Sequence, residues 1–126
     1  MALRNSIRLI GHCGSDPTLK SYGDNKQVLI VPVYTEHWSS MNQEGSAKKH
    51  TEIHRCVFFG ANAERANTLL MKGTEVHILG VMHYRKVKKE DRVVIYPQVI
   101  VEDFTLASRA IMTKELYEHI FNNELP

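Results

Sequence analysis

The chain carries only two cysteines, Cys13 and Cys56, among its 126 residues. They stand 43 positions apart in apolar, strand-like runs. They form no Cys-x-x-Cys pair and no Cys/His ligand spacing, so neither a disulfide framework nor a cysteine zinc site has support. Both are expected as buried free thiols in a reducing compartment. The longest apolar run, Val28 to Tyr34, has seven residues and contains Pro32, too short to span a bilayer. Arg4 and Arg8 near the start have no apolar stretch between them, so no signal peptide is expected. No nucleophile elbow, P-loop or His-Glu-x-x-His is present. Glu102-Asp103 at a strand end reads as a charged rim, so no catalytic residue and no cofactor is assigned. Seven histidines are present, but His50 and His54 sit across a loop-to-strand junction. The rest have no ligand spacing with the cysteines, and no metal site is expected.

The net charge of +2 does not announce a nucleic-acid binder, but its distribution is uneven. From Thr113 to Pro126 three Glu face one Lys. From His83 to Arg92 five Lys or Arg face only Glu90 and Asp91. A local basic strip speaks more for phosphate contact than total charge does. The length suits one domain with a real core.

Ile7 to Ile10 begins a strand, and Gly11 to Pro17 reads as a bend and turn. Tyr22 to Lys26 is another turn. Val28 to Thr35 is β-rich, with Pro32 marking an edge or a bulge. Ser39 to His50 is polar and aperiodic, a loop between strands. Ile53 to Phe59 is a strand. Asn62 is the expected N-cap of a helix whose apolar face is Ala63, Ala66, Leu69 and Leu70, with Gly73 as its stop. Glu75 to Val81 is a strand, His83 to Arg92 a basic hairpin arm, and Val93 to Val101 the return. Ile111 to Leu125 reads as an amphipathic helix capped by Thr113, with Leu116, Ile120 and Phe121 on one side. The fold class is therefore all-β with one inserted helix. Five strands in this order suggest a five-stranded OB-fold barrel over residues 1–110, with a short C-terminal helix over 111–126. Periodicity also allows another small α+β barrel.

Period-two alternation puts Ile53, Arg55, Val57 and Phe59 on one side of their strand and His54, Cys56 and Phe58 on the other. An unpaired Arg is costly in a core, so the Arg55 side should be the wet one. A ring and a guanidinium on an open face can stack bases and hold phosphates. The same residues could equally serve packing, with Phe59 under a loop and Arg55 paired to a carboxylate. Trp38, the only tryptophan, stands at a strand end, where packing is the commoner role. The arm bearing Tyr84, Arg85, Lys86, Val87, Lys88, Lys89 and Arg92 could be no more than a solvated hairpin tip.

Three segments tip this balance. They are TEIHRCVFFG (Thr51 to Gly60), ANAERANTLLMKG (Ala61 to Gly73) and TEVHILG (Thr74 to Gly80). They resemble, in order, the middle of the bacterial single-stranded DNA-binding protein family. The run Asn5 to Pro17, NSIRLIGHCGSDP, is similar to the start of that family, with Cys13 in place of an aliphatic residue. The resemblance covers residues 5–107.

It implies an OB-fold protein that binds single-stranded DNA with little sequence preference and protects it during replication, recombination or repair. Trp38 (in Thr35-Glu36-His37-Trp38), Phe59 and Tyr84 would stack on bases. Arg55, Arg85, Lys86, Lys88, Lys89, Lys48 and Lys49 would meet phosphates. Ile53 and Val87 stand where the family usually has rings, and Tyr84 could substitute from beside Val87. His54 matches a position near a subunit interface, and the implied assembly is a cytoplasmic homotetramer, a dimer of dimers, with no membrane role. The chain ends Asn122 to Pro126 without the family's acidic tip, so recruitment of replication proteins through such a tip is not expected. Two other functions fit the same residues. One is a dimeric assembly module similar to primosomal replication proteins. The other is an OB-fold enzyme or ligand binder for RNA or sugar.

Overall fold

The computed structural model describes residues 4–39 and 45–106. Along the chain run β1 (Ile7–Cys13), β2 (Thr18–Ser21), β3 (Gln27–Trp38), β4 (Lys49–Phe59), α1 (Gly60–Leu69), β5 (Glu75–Lys89) and β6 (Arg92–Leu106). The sheet order is β1-β5-β6-β4-β3-β2, and an additional β1–β3 pairing closes five strands into a barrel. This is the expected OB-fold barrel, with β2 as an extra short strand hydrogen-bonded to β3. Closure rests on two register pairs, His12 with Tyr34 and Cys13 with Val33. It needs a glycine, because a Cβ on Gly11 would collide with the Tyr34 carbonyl oxygen.

Alternation in β1, β3, β4 and β5 sends Leu9, Cys13, Leu29, Val31, Val33, Cys56, Phe58, Val76 and Ile78 into the barrel, where all are buried. Phe58 meets Phe104 edge to face, with centroids 5.3 Å apart. Helix α1 plugs one end with Ala63 and Ala66, and Leu70 follows them into the core. Arg65 holds the helix against β6. Its guanidinium lies 4.4 Å from the Phe104 ring centre and donates to Asp103 and to the Phe104 carbonyl. Both cysteines are free and buried, and loss of water pushes the Cys13 thiol up to about 11 and the Cys56 thiol up to about 12. The nearby Cys13 adds to the Cys56 shift.

Several expectations are corrected. The N-cap position of α1 is Phe59, with no side-chain cap, because Gly60 turns the chain at φ +59° directly from strand into helix. Asn62 instead donates its side-chain amide to the Glu102 carbonyl at 3.0 Å. The helix ends at Leu69, which faces solvent, while the C-cap residue Leu70 enters the core. Gly73 lies in the turn beyond, at φ +90°. Glu75 to Lys89 is one strand, not a strand and a separate arm, and β4 begins at Lys49, inside the expected loop.

Pro32 lies inside β3 without breaking it. The β2 ladder stops at Ile30 and the β1 ladder starts at Val33. Its carbonyl accepts from the Gly14 N–H on the β1 side. A residue's N and O point the same way in a strand, so the N–H that proline lacks would have faced this gap between ladders. The helix expected over 111–126 lies outside the described residues. No described helix is long and apolar enough to cross a membrane.

Candidate nucleic-acid interface

The pairing of β3 with β4 sets Trp38 opposite Lys49, Tyr34 opposite Ile53, Pro32 opposite Arg55 and Val28 opposite Phe59. Residues two apart share a face, so Trp38, Lys49, Ile53, Arg55 and Phe59 lie on one outer surface of the barrel. Trp38 and Ile53 are each 66% exposed and Phe59 is 42% exposed. Trp38 and Ile53 thus stand mostly open among the described residues, and Phe59 is partly open beside Tyr22. Val57, expected on the same open side, is 4% exposed. Its strand is flanked there on both sides, by Ile30 of β3 and Ile100 of β6, and their aliphatic side chains cover it.

Arg55 is half-buried, and among the described residues it pairs with no carboxylate. Its Nε donates to Gln98 Oε1 at 3.2 Å, and Gln98 Nε2 is 3.0 Å from His83 Nδ1. The relay fixes the guanidinium by one of its five N–H donors and keeps the others for a ligand. It also joins β4 to the base of the arm formed by β5 and β6.

In that arm His83 lies opposite Gln98, Arg85 opposite Tyr96, Val87 opposite Val94 and Lys89 opposite Arg92. All of these share the Arg55 side. The Arg85 guanidinium is 5.2 Å from the Tyr96 ring centre, and Lys89 Nζ donates to the Tyr96 hydroxyl at 2.9 Å. The arm thus carries a tyrosine clasped by two cations. Tyr84, Lys86 and Lys88 alternate onto the opposite side, opposite Pro97, Ile95 and Val93. The basic arm is therefore two-sided, and the structure does not bring Tyr84 to the Arg55 side.

Lys49 faces Glu36 at 3.1 Å, so part of its charge is met within the chain. Lys48 is exposed. Its backbone N–H donates to the Ser39 hydroxyl, and its carbonyl accepts from the Ser39 N–H at 2.9 Å, which ties the two strand ends together. His37 and His50 stack at 5.0 Å on the other side of the β3–β4 ribbon. His54 shares that side, with Nε2 2.7 Å from Thr35 Oγ1. Among the described residues, no group of three or more His, Cys, Asp or Glu could hold a metal ion.

Tyr96 and Gln98 were not anticipated from sequence, because both sit in a return strand read only as a strand. Hairpin arithmetic could have found them. A two-residue turn at Glu90-Asp91 pairs Lys89 with Arg92, and counting back four places puts Arg85 across from Tyr96. The resulting surface is a run of rings and cations along one barrel face.

Residues 4–107 match the single-strand binding protein family. Single-stranded DNA-binding protein 1 of Xylella fastidiosa is 34% identical over 85 residues, which are 68% of this chain and 62% of that protein. The single-stranded DNA-binding protein of Xanthomonas campestris pv. campestris is 34% identical over 97 residues, 77% of this chain and 56% of that protein. The chain therefore spans about six-tenths of the length of these relatives. The Plasmodium falciparum SSB solved in complex with ssDNA superposes with a TM-score of 0.77 at 24% identity, over 86% of this chain and 98% of that one. A Thermus aquaticus single-stranded DNA binding protein, solved as a deletion mutant, superposes with a TM-score of 0.73 at 22% identity, over 83% of this chain and 51% of that one. These two share the barrel. With the family match over residues 4–107 and two relatives at 34% identity, this chain belongs to the single-strand binding protein family.

Proposed function

We propose that this protein binds single-stranded DNA with little sequence preference, without catalysing a reaction, and so protects exposed strands during replication, recombination or repair. The observation that carries this reading is the single open face shared by Trp38, Ile53, Arg55 and Phe59, extended along the arm by Arg85, Tyr96 and Lys89. Each base has a π-face, so rings spaced along a groove hold any sequence, and cations between them follow the backbone. Lys48 and Lys49 add phosphate contacts at one end. Lys86, Lys88 and Tyr84, on the far side of the arm, meet a strand that wraps around it. Duplex DNA cannot use such a face, because its bases are stacked on one another.

Trp38 makes the test direct, since it is the only indole and stands at the surface. Titration with oligo-dT should quench its fluorescence to saturation, and a duplex of equal length should not. Unchanged emission with both, alongside no binding by a second method, would refute the reading.

The working form in this proposal is a homotetramer in the cytoplasm, with His54 near a subunit boundary. Family membership supports it. Light scattering should give four times the chain mass. A dimer mass would overturn the tetramer and leave the binding reading standing.

A further inference from the structure

Beyond Phe59 the same face continues onto β2, whose side chains have no role in the surface described so far. A recess of about 320 Å³ lies there, lined by Thr18, Lys20, Val28, Ile30 and Arg55. The register explains its shape. Thr18 lies opposite Ile30 and Lys20 opposite Val28. Ile30 and Val28 in turn lie opposite Val57 and Phe59. The floor is therefore aliphatic, with an ammonium on one side and the Arg55 guanidinium on the other. The volume is at the scale where small-molecule sites begin, roughly 300 Å³.

Tyr22 closes the end beside Phe59. It follows β2 directly, and its backbone N–H is held by the Lys26 carbonyl at 2.8 Å. Its ring meets the Phe59 ring edge to face, with centroids 6.1 Å apart and planes at 77°. It remains 44% exposed. An edge-to-face pair leaves a ring surface open to a third flat group. Two cations beside an apolar floor with rings at its end suit an anion that carries a flat, largely apolar body. No carboxylate lines the recess.

We propose that this recess is a further nucleotide station, taking the next nucleotide of a single strand as it leaves Phe59. The base lies over Val28 and Ile30 against Tyr22, and the phosphate sits between Lys20 and Arg55. The proposal rests on the reading of this face as a single-strand surface and adds Lys20 and Tyr22 to it.

The test is an oligo-dT titration of the full chain across a salt series. Lys20→Ala should make the log–log salt slope shallower by about 0.7, the value of one phosphate contact on a single strand. Tyr22→Ala should weaken binding about 5- to 150-fold, the range of one lost stacking partner. Tyr22→Phe keeps the ring and should bind as the parent does, and Lys20→Arg should restore the slope. The Lys20 slope is a readout that altered support of Phe59 by Tyr22 does not move. Melting temperatures will show that the variants are folded, as the exposure of both side chains leads one to expect. Parental affinity and slope in both alanine variants would overturn the station while leaving strand binding intact. A parent that binds no oligo-dT would overturn the underlying reading and the station with it.

Discussion

Replacing Arg55 with Met tests the structural and the binding role of one side chain at once. The guanidinium donates to Gln98 Oε1 at 3.2 Å, and Gln98 is only 7% exposed. Met fills much of the same volume and donates nothing. It leaves a largely buried amide oxygen without its donor, which costs about 1–3 kcal/mol. A recess of about 70 Å³ lined by Ile53, Met82, Gln98 and others gives water some access there, so the lower end applies. The expected loss is about 1 kcal/mol, or roughly 3–6 °C in melting temperature for a chain of this size.

The double variant Arg55→Met, Gln98→Leu removes both partners. It should recover most of that loss, because an apolar pair carries no unmet bond. His83 is exposed, and its freed Nδ1 can turn to water. The assay is urea unfolding of the parent, both single variants and the double. On the binding side, both Arg55→Met proteins should show a salt slope shallower by about 0.7. The reasoning fails if the double variant is no more stable than Arg55→Met alone. It fails for binding if the slope is unchanged.

Two further predictions concern the arm and the core. Tyr96→Ala should weaken oligo-dT binding by about 1–3 kcal/mol, while Tyr84→Ala, on the far side of the arm, should cost less; a larger loss at Tyr84 would show that the strand follows the other side. Burial raises both thiols from an ordinary 9.0, Cys13 to about 11 and Cys56 to about 12. The folded state therefore keeps protons that the unfolded chain releases. The stabilisation is complete below pH 9 and declines as pH rises toward 11 to 12, by about 1.4 kcal/mol per unit for each thiol. Urea midpoints measured between pH 8 and 10.5 should fall more steeply in the parent than in a Cys13→Ala, Cys56→Ala variant, and parallel curves would refute it.

The sequence by itself indicated the succession of strands, the helix inserted between Phe59 and Glu75, and the side of β4 that stays wet, whereas closure into a five-stranded barrel was decided by the β1–β3 pairing. The first three follow from local rules. Alternation of apolar and polar residues marks strands, and an unpaired arginine is too costly to bury in a barrel interior. Where the local signal was weak, the prediction slipped. Asn62 looks like a cap in isolation, but Gly60 at φ +59° starts the helix earlier. Val57 alternates to the outside, yet Ile30 and Ile100 bury it, and neither neighbour is visible without sheet order.

The proposed binding face was only half legible. Trp38, Ile53, Arg55 and Phe59 lie on two adjacent strands, and their shared side follows from parity once the register is known. Tyr96, Gln98 and Tyr22 join them through the pairings of β6 with β5 and β4 and of β2 with β3. Gln98 reaches Arg55 because β6 runs beside β4 in parallel, more than forty residues further along the chain. Tyr22 reaches Phe59 because β2 folds back on β3. The sign of the arm was clear from its composition. Which of its cations lie beside the rings was decided by the alternation of a two-stranded ribbon about its turn, where a shift of one residue would exchange Arg85 for Lys86 and Tyr96 for Ile95.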